Sequence, residues 1–396
     1  MEHRKELLTI FSIMFTEHLG WSLILPFLPY YVKSFGVSSI YVGLIIATFS
    51  FFQFFSAPII GKLSDKFGRK PLIIMSQLAT ATGFLILGFA NSVFMIFLSR
   101  VIDGLLGSNM TLTNAYISDI TKGKERLKIY GYSGIIFSLG MFIGPAIGGF
   151  LATIDYSIPA FLAFFISLIT LALTIIFLKE TVKVSKNVEI KSKDFFPVKD
   201  FVQGLKNPVL KSIFFEFFFF IFSFSMLTSS MALFSESQLK IGPDTIGLLF
   251  MFIGSVRIIF QALIFPRLAN KFSQDSLTIA GLLMLITGLV NIYFVNSVAA
   301  LFISFFFFSI GGALSRPSML SSISNKAKDD ERGKIMGVFD SLSSISMIIA
   351  PIIGAFIIDN YYPGTIGLIA AAFMIISLIF ELLEIKKKKE EIKLIH

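Results

Sequence analysis

Apolar stretches recur twelve times along the chain, separated by short polar segments. They cover residues 7–31, 40–60, 71–90, 93–117, 129–152, 158–178, 209–234, 245–266, 276–295, 298–322, 335–357 and 364–384. A helix rises about 1.5 Å per residue, so roughly 20 residues cross a hydrocarbon core about 30 Å thick. The pattern therefore predicts an all-α integral membrane fold of twelve transmembrane helices. The first stretch is too long for a signal-peptide core and carries Glu17 and His18, so it reads as a retained span. One interval breaks the rhythm. The lysine-rich segment 179–208 reads as a linker between an N-terminal half, 1–178, and a C-terminal half with a basic tail, 209–396.

The halves match each other at an offset of about 206 residues. Ile117-Ser-Asp119 pairs with Ile323-Ser-Asn325, and Glu125-Arg126 with Glu331-Arg332. Gly131 pairs with Gly337, Pro145 with Pro351, Gly148 with Gly354 and Phe150 with Phe356. Each half is thus one copy of a six-span unit, a parallel internal repeat.

Composition agrees with a lipid solvent. Apolar residues make up 55% of the chain and charged residues 15%, and the mean hydropathy is +0.82; a soluble domain carries about 25% charge. With no cysteine and three scattered histidines (His3, His18, His396), thiol chemistry is excluded and no metal or cofactor site is visible. The formal charge of +9 raises nucleic acid as a partner, and the placement of the charges rejects it. With the N-terminus inside, 29 of the 34 lysines and arginines fall in inner segments. Only Lys33 and Lys240 fall in outer loops, and Arg100, Arg257 and Arg316 lie within spans. That asymmetry predicts a multi-pass protein of the cell membrane with both termini cytoplasmic. The run Lys386–Lys389 reads as an anchor on the lipid surface. No phosphate-cradling Walker loop occurs, which argues against ATP-driven transport, and nothing points to an enzyme.

Between the second and third stretches lies Gly61-Lys-Leu-Ser-Asp65-Lys-Phe-Gly68-Arg69-Lys70. Its five charges and two glycines read as a tight, basic cytoplasmic turn. The decapeptide resembles the loop motif of the major facilitator superfamily, and a worn copy, Leu268-Ala-Asn270-Lys-Phe272, stands in the second half. The resemblance implies two six-helix pseudo-repeats around a central cavity, with spans 1, 4, 7 and 10 lining it and spans 3, 6, 9 and 12 facing lipid. It also implies an inner gate latched through Asp65, with Gly61, Gly68, Arg69 and Arg126 as companions. The residue-level alternative is that these charges anchor the turn in anionic headgroups.

A charge at mid-bilayer costs about 2.5–3.5 kcal/mol on insertion scales, so each should meet a partner or a wet cavity. Glu17 sits in span 1, Arg100 and Asp103 in span 4, Glu216 in span 7, Arg257 in span 8, Arg316 in span 10 and Asp340 in span 11. Glu17 lies about 15 Å from the inner end of its helix at 1.5 Å per residue. Burial there disfavours the charged carboxylate, so Glu17 is either a proton carrier or a carboxylate permanently paired with an arginine or with His18. His18 points to another helix face and reads as a packing or hydrogen-bonding residue. Arg100 and Asp103 share one face of span 4, either as a self-neutralised pair or as a switch exchanging the arginine for a proton. Arg100-Val-Ile-Asp-Gly104 resembles the span-4 proton-coupling motif of superfamily antiporters, with Asp103 where glutamine is common. Trp21, Asn109, Asn114, Glu216 and Arg257 are further cavity candidates. Arg316 and Asp340 lie at similar depth and read first as a neutralising pair.

Span 5 reads Gly140-Met-Phe-Ile-Gly144-Pro145-Ala-Ile-Gly148-Gly149, with glycine every fourth residue and a proline kink. This smooth face suits close packing of a neighbouring helix. It also resembles the antiporter motif of drug:proton exporters, the tetracycline and multidrug efflux branch. The 48 phenylalanines read mainly as lipid-facing or interhelical packing. The resemblance implies a monomeric, proton-coupled antiporter moving a small amphipathic or drug-like compound by alternating access. Its partners would be that compound, protons and membrane lipids. Uptake by symport, or a sensor on the same fold, are the alternatives.

Overall fold

A computed structural model describes residues 4–182, 208–326 and 332–395. Twelve of its helices are long and apolar enough to cross a membrane. The linker expected at 179–208 lies outside the described residues from 183 to 207.

Span 1 is Arg4–Ile24, and a short helix, Leu28–Lys33, follows it. The apolar run 7–31 is therefore two helices, because Pro26 and Pro29 have no amide hydrogen to continue the ladder. Spans 2 and 3 are Ser39–Phe67 and Arg69–Gly88. Span 4 comprises Val93–Leu106 and Asn109–Ile120, span 5 is Gly123–Ala152 and span 6 is Ser157–Phe177. Span 7 is Pro208–Leu239. Span 8 runs through Pro243–Ile259, a π-helical turn at Phe260–Ile264 and Phe265–Ala269. Spans 9 to 12 are Gln274–Tyr293, Val298–Lys326, Arg332–Asn360 and Thr365–Ile395. The basic run near 386 thus continues the last helix rather than forming a loose tail.

The helices group into two compact units: Met1–Phe196 with Ile241–Met251, and Pro197–Lys240 with Phe252–His396. In unit 1, span 1 packs on spans 5 and 6, span 2 on span 4, and span 3 on spans 4 and 6. In unit 2, span 7 packs on spans 11 and 12, and span 9 on spans 10 and 12. Adding six to the span numbers maps most of one pairing scheme onto the other, so the sequence repeat is a packing repeat as well.

Lipid tails are as apolar as leucine, so close packing rather than burial holds such helices together. In unit 1, Ile10, Met14, Ile73, Leu112, Tyr116 and Ile117 form a buried core. In unit 2 the phenylalanine run of span 7 packs between helices. Phe217 meets Phe339 edge-on at 4.7 Å between centroids, and Phe219 stacks on Phe373 at 6.0 Å.

Candidate functional site: a buried polar relay and a clasp at the helix ends

Unit 1 brings three of the expected residues, together with Thr80, into one hydrogen-bonded chain. Asn109 Nδ2 donates to Glu17 Oε2 at 2.8 Å and to Thr80 Oγ1 at 3.0 Å. Thr80 Oγ1 in turn donates to Asp103 Oδ1 at 2.8 Å. A fourth expected residue, Arg100, closes the chain: its Nη1 lies 3.6 Å from Asp103 Oδ2, and its guanidinium lies 5.9 Å from the centre of the Phe84 ring. Thr80, Arg100, Asp103 and Asn109 are all buried, whereas Glu17 is partly open. The relay therefore joins a partly open residue at one end to a sealed carboxylate–guanidinium pair at the other. Among the described residues Glu17 makes no ion pair, so the permanently paired alternative finds no support.

The break in span 4 makes this geometry possible. Asp103 and Asn109 are six residues apart, and in a continuous helix they would point about 120° apart at about 100° per residue. The helix stops at Leu106 and restarts at Asn109, which turns both side chains to Thr80. Gly107 occupies the break because a Cβ there would meet the Asp103 carbonyl and, at 2.8 Å, Thr80 Oγ1. Discontinuous spans of this kind recur at transport sites. Buried atoms in the relay keep unused capacity: Arg100 Nη2, Ser108 Oγ and Asn109 Oδ1 have no partner among the described residues. Such orphans are places where a proton-carrying water or a substrate group gains a hydrogen bond.

Thr80 is a site residue that the sequence does not single out. The resemblance implies that span 3 faces lipid, yet Ser76, Gln77 and Thr80 are buried there, because span 3 packs against spans 4 and 6. A run of polar residues in a span without charges is the available signal. Replacing Thr80 by valine keeps the shape and removes the bridge between Glu17's amide partner and Asp103. Thr80→Val should lower the melting temperature by about 2–4 °C, the effect of losing one net hydrogen bond of about 1 kcal/mol, while Thr80→Ser retains most of the stability; a thermal melt checks this.

The decapeptide differs from its expected form. It is not a loop: span 2 remains helical through Phe67, span 3 starts at Arg69, and only Gly68 lies outside a helix. Gly68 holds φ +100°, a left-handed region that disfavours side chains, and a Cβ there would strike the Glu180 carboxylate. Arg69 binds Asp65 through Nη2, Asp119 Oδ2 through Nε at 2.9 Å, and Ser64 Oγ through Nη1. Asp65 is about half exposed. Arg126, expected beside Asp65, instead donates to the carbonyls of Ser118 and Thr121 and closes the end of span 4.

Asp119 and Glu180 join the site although the sequence assigns neither a role there; Asp119 stands out only as part of the repeat. Glu180 accepts from the backbone amides of Arg69 at 2.8 Å and Lys70 at 3.1 Å, capping the N-terminus of span 3. Thr181 Oγ1 donates to Asp119 Oδ2 at 3.0 Å, and Tyr116 Oη donates to the Lys179 carbonyl at 2.8 Å. Residues 179–181 thus clasp the start of span 3 and the end of span 4. A capping carboxylate is worth about 1 kcal/mol, so Glu180→Ala should lower the melting temperature by about 2–4 °C. Glu180→Gln, which retains an accepting oxygen, should lose less.

Span 5 presents its glycines to span 1. A Cβ on Gly140 would fall 2.9 Å from His18 Cβ, one on Gly144 would overlap Ser22 Oγ, and one on Gly148 would overlap the Leu23 carbonyl. Ser22 Oγ stitches the seam by donating to the Gly140 carbonyl at 2.8 Å. His18 packs edge-on against Phe137 at 4.7 Å. The other side of the motif, Pro145 and Gly149, meets Pro243 and Gly247 at the start of span 8, all within unit 1.

The remaining candidates take no part in the relay's hydrogen bonds. Trp21 is 43% exposed one turn beyond Glu17, and Asn114 is exposed on span 4. Glu216 is buried in unit 2, where its backbone carbonyl accepts from Ser377 Oγ at 2.9 Å. Arg257 is half-buried, and Arg316 and Asp340 are exposed. Arg316 and Asp340 are within electrostatic reach but form no direct ion pair among the described residues, so the expected neutralising pair is not closed.

Twelve spans, a discontinuous fourth helix and a buried acid–amide–hydroxyl relay define a polytopic membrane transporter. A family model described as the Major Facilitator Superfamily matches residues 10–294 and 214–394, and the chain belongs to that superfamily. Multidrug resistance protein 1 of Bacillus subtilis (strain 168) is 30% identical over 370 residues, 92% of this chain and 93% of that protein. The class H tetracycline resistance protein of Pasteurella multocida is 27% identical over 376 residues, 93% of each chain. Among solved structures, that of the nucleoside transporter NupG superposes with a TM-score of 0.80 at 12% identity, covering 96% of this chain and 99% of NupG. That last likeness concerns the fold alone.

Proposed function

We propose that this chain is a proton-coupled antiporter of the cell membrane that exports small amphipathic compounds by alternating access, with both termini in the cytoplasm. The relay Glu17–Asn109–Thr80–Asp103 carries the reading. It joins the carboxylate of Glu17, a partly open residue, to the sealed carboxylate of Asp103 through groups that can pass or sense a proton. An outside proton loads Glu17, and its neutral form releases the cargo it held by charge or hydrogen bond. Protonation of Asp103 frees Arg100 from its partner, and release of the protons to the cytoplasm restores the starting charges. The names of the relatives, which concern tetracycline and multidrug resistance, support export of drug-like compounds. The glycine seam of span 5 supports antiport over symport. Asp65, held by Arg69, is the proposed inner latch.

The test is a pH-gradient assay in inside-out vesicles that contain the protein. Adding ethidium or tetracycline to energised vesicles should collapse part of the gradient, because each compound pumped in exchanges for protons moving out. Uptake of the compound with no proton movement would refute coupling. Proton movement in the same direction as the compound would make the protein a symporter.

A further inference from the structure

Two arginines in unit 2 are left without a structural task. Arg257 lies about 14 Å from the inner end of its apolar stretch at residue 266, and Arg316 about 9 Å from that of its own at residue 322, at 1.5 Å per residue. Both depths fall inside a hydrocarbon core about 30 Å thick. There a cation is expensive and is retained where it meets a partner or lines a wet cavity. Among the described residues neither makes a hydrogen bond or an ion pair.

The helices hold these arginines close together. Ser309 Oγ donates to the Ile253 carbonyl at 2.8 Å, pinning span 10 to span 8. Arg316 is seven residues beyond Ser309 and Arg257 is four beyond Ile253, so each continues the face that makes this contact. The two guanidinium groups consequently lie within electrostatic reach of each other. Asp340 of span 11, the carboxylate that faces Arg316, leaves the trio with a net charge of +1. Span 8 departs from regular geometry at this place, and span 10 carries a proline. Span 8 enters its π-helical turn at Phe260, three residues after Arg257, and Pro317 follows Arg316 directly. A π turn inside a helix is frequent at functional sites, and a proline frees a carbonyl one turn back.

We propose that Arg257 and Arg316 form a recognition site for a monoanionic oxyacid group, such as a carboxylate, on an amphipathic molecule. A bidentate guanidinium contact suits that geometry better than a point charge would. The anion relieves the repulsion between the arginines, and Asp340 limits the site to a single negative charge. The inference deepens the export reading and rests on it: acid-bearing amphipaths become the preferred cargo. A lipid headgroup phosphate offers the same chemistry from another source.

The probes are N-dansylglycine and its methyl ester, matched apart from the carboxylate, with dansyl fluorescence read on the protein in phosphatidylcholine nanodiscs. The wild-type protein should bind the acid at least about tenfold more tightly than the ester, the low end for a charge-assisted hydrogen bond. Arg257→Gln and Arg316→Gln should each erase that preference while ester binding stays within about twofold, which also reports correct folding. Arg316→Lys should keep part of the preference, and Asp340→Asn should increase it. Equal binding of the two probes, binding of neither, or a preference that survives both glutamine variants overturns the proposal. Loss of the preference when phosphatidylglycerol is added assigns the site to a lipid headgroup, and its survival assigns it to the cargo. Ethidium export measured in parallel separates the two readings: export without any acid preference refutes the anion site and leaves the exporter standing.

Discussion

Glu17→Gln should reduce substrate-driven proton movement to the background of empty vesicles. The amide has the size of the carboxylate and can still accept from Asn109 Nδ2, which holds Glu17 Oε2 at 2.8 Å. What it cannot do is take up and release a proton. Stability should hardly change. A difference of 1 kcal/mol moves the melting temperature of a large domain by about 2–4 °C, and replacing the carboxylate of a partly open residue by its isostere should stay within that. Glu17→Asp should give an intermediate rate, because the shorter side chain keeps the proton site but leaves the reach of Asn109. Full proton exchange in a folded Glu17→Gln protein would remove this residue from the coupling path. Loss of compound binding with normal proton exchange would make it a cargo ligand only.

Gly148→Val should abolish export and visibly destabilise the protein. A Cβ at Gly148 overlaps the carbonyl oxygen of Leu23 and comes within 2.9 Å of its Cα. These are backbone atoms of span 1, so the clash cannot be relieved by a rotamer change. Overpacking of this kind costs about 1–3 kcal/mol, and here it also pushes span 1, with Glu17 and Ser22, away from span 5. The melting temperature should drop by several degrees, and Gly144→Val should behave alike. Gly131 and Gly134 lie on the same helix with nothing within 4 Å of a built Cβ, so Gly131→Val and Gly134→Val serve as matched controls and should retain transport. Equal tolerance at all four positions would show that the span-5 glycines are not a packing seam.

Parts of the site are legible in the sequence because charge in a span is conspicuous. Glu17, Arg100 and Asp103 announce themselves by their cost in hydrocarbon. Thr80 does not, since a threonine in a membrane helix usually bonds its own backbone, and its role depends on which helix lies opposite. Asp119 and Glu180 are hidden differently. Each is an ordinary charge at a helix end, and only the approach of residues 179–181 to Arg69 and Asp119 shows them to be a clasp. The decapeptide reads as a loop because its charges and glycines resemble one. Asp65, Arg69 and Asp119 neutralise one another and Glu180 caps the restart, so the helices run almost without interruption.

The number of spans, the two-fold repeat and the glycine seam follow from the amino acids alone, because the bilayer sets the length of every apolar segment and a smooth face is written in its spacing. The lysine and arginine pattern predicts which side the termini occupy on the same simple grounds. The meeting of polar groups is another matter. It depends on how each helix is rotated and where it breaks, and these are settled by non-local contacts each worth only about a kilocalorie per mole. A two-residue break at Gly107 and Ser108 turns Asp103 and Asn109 to one threonine, and a serine pins span 10 to span 8, where two arginines come within electrostatic reach of each other. Nothing in the periodicity of either segment specifies those meetings.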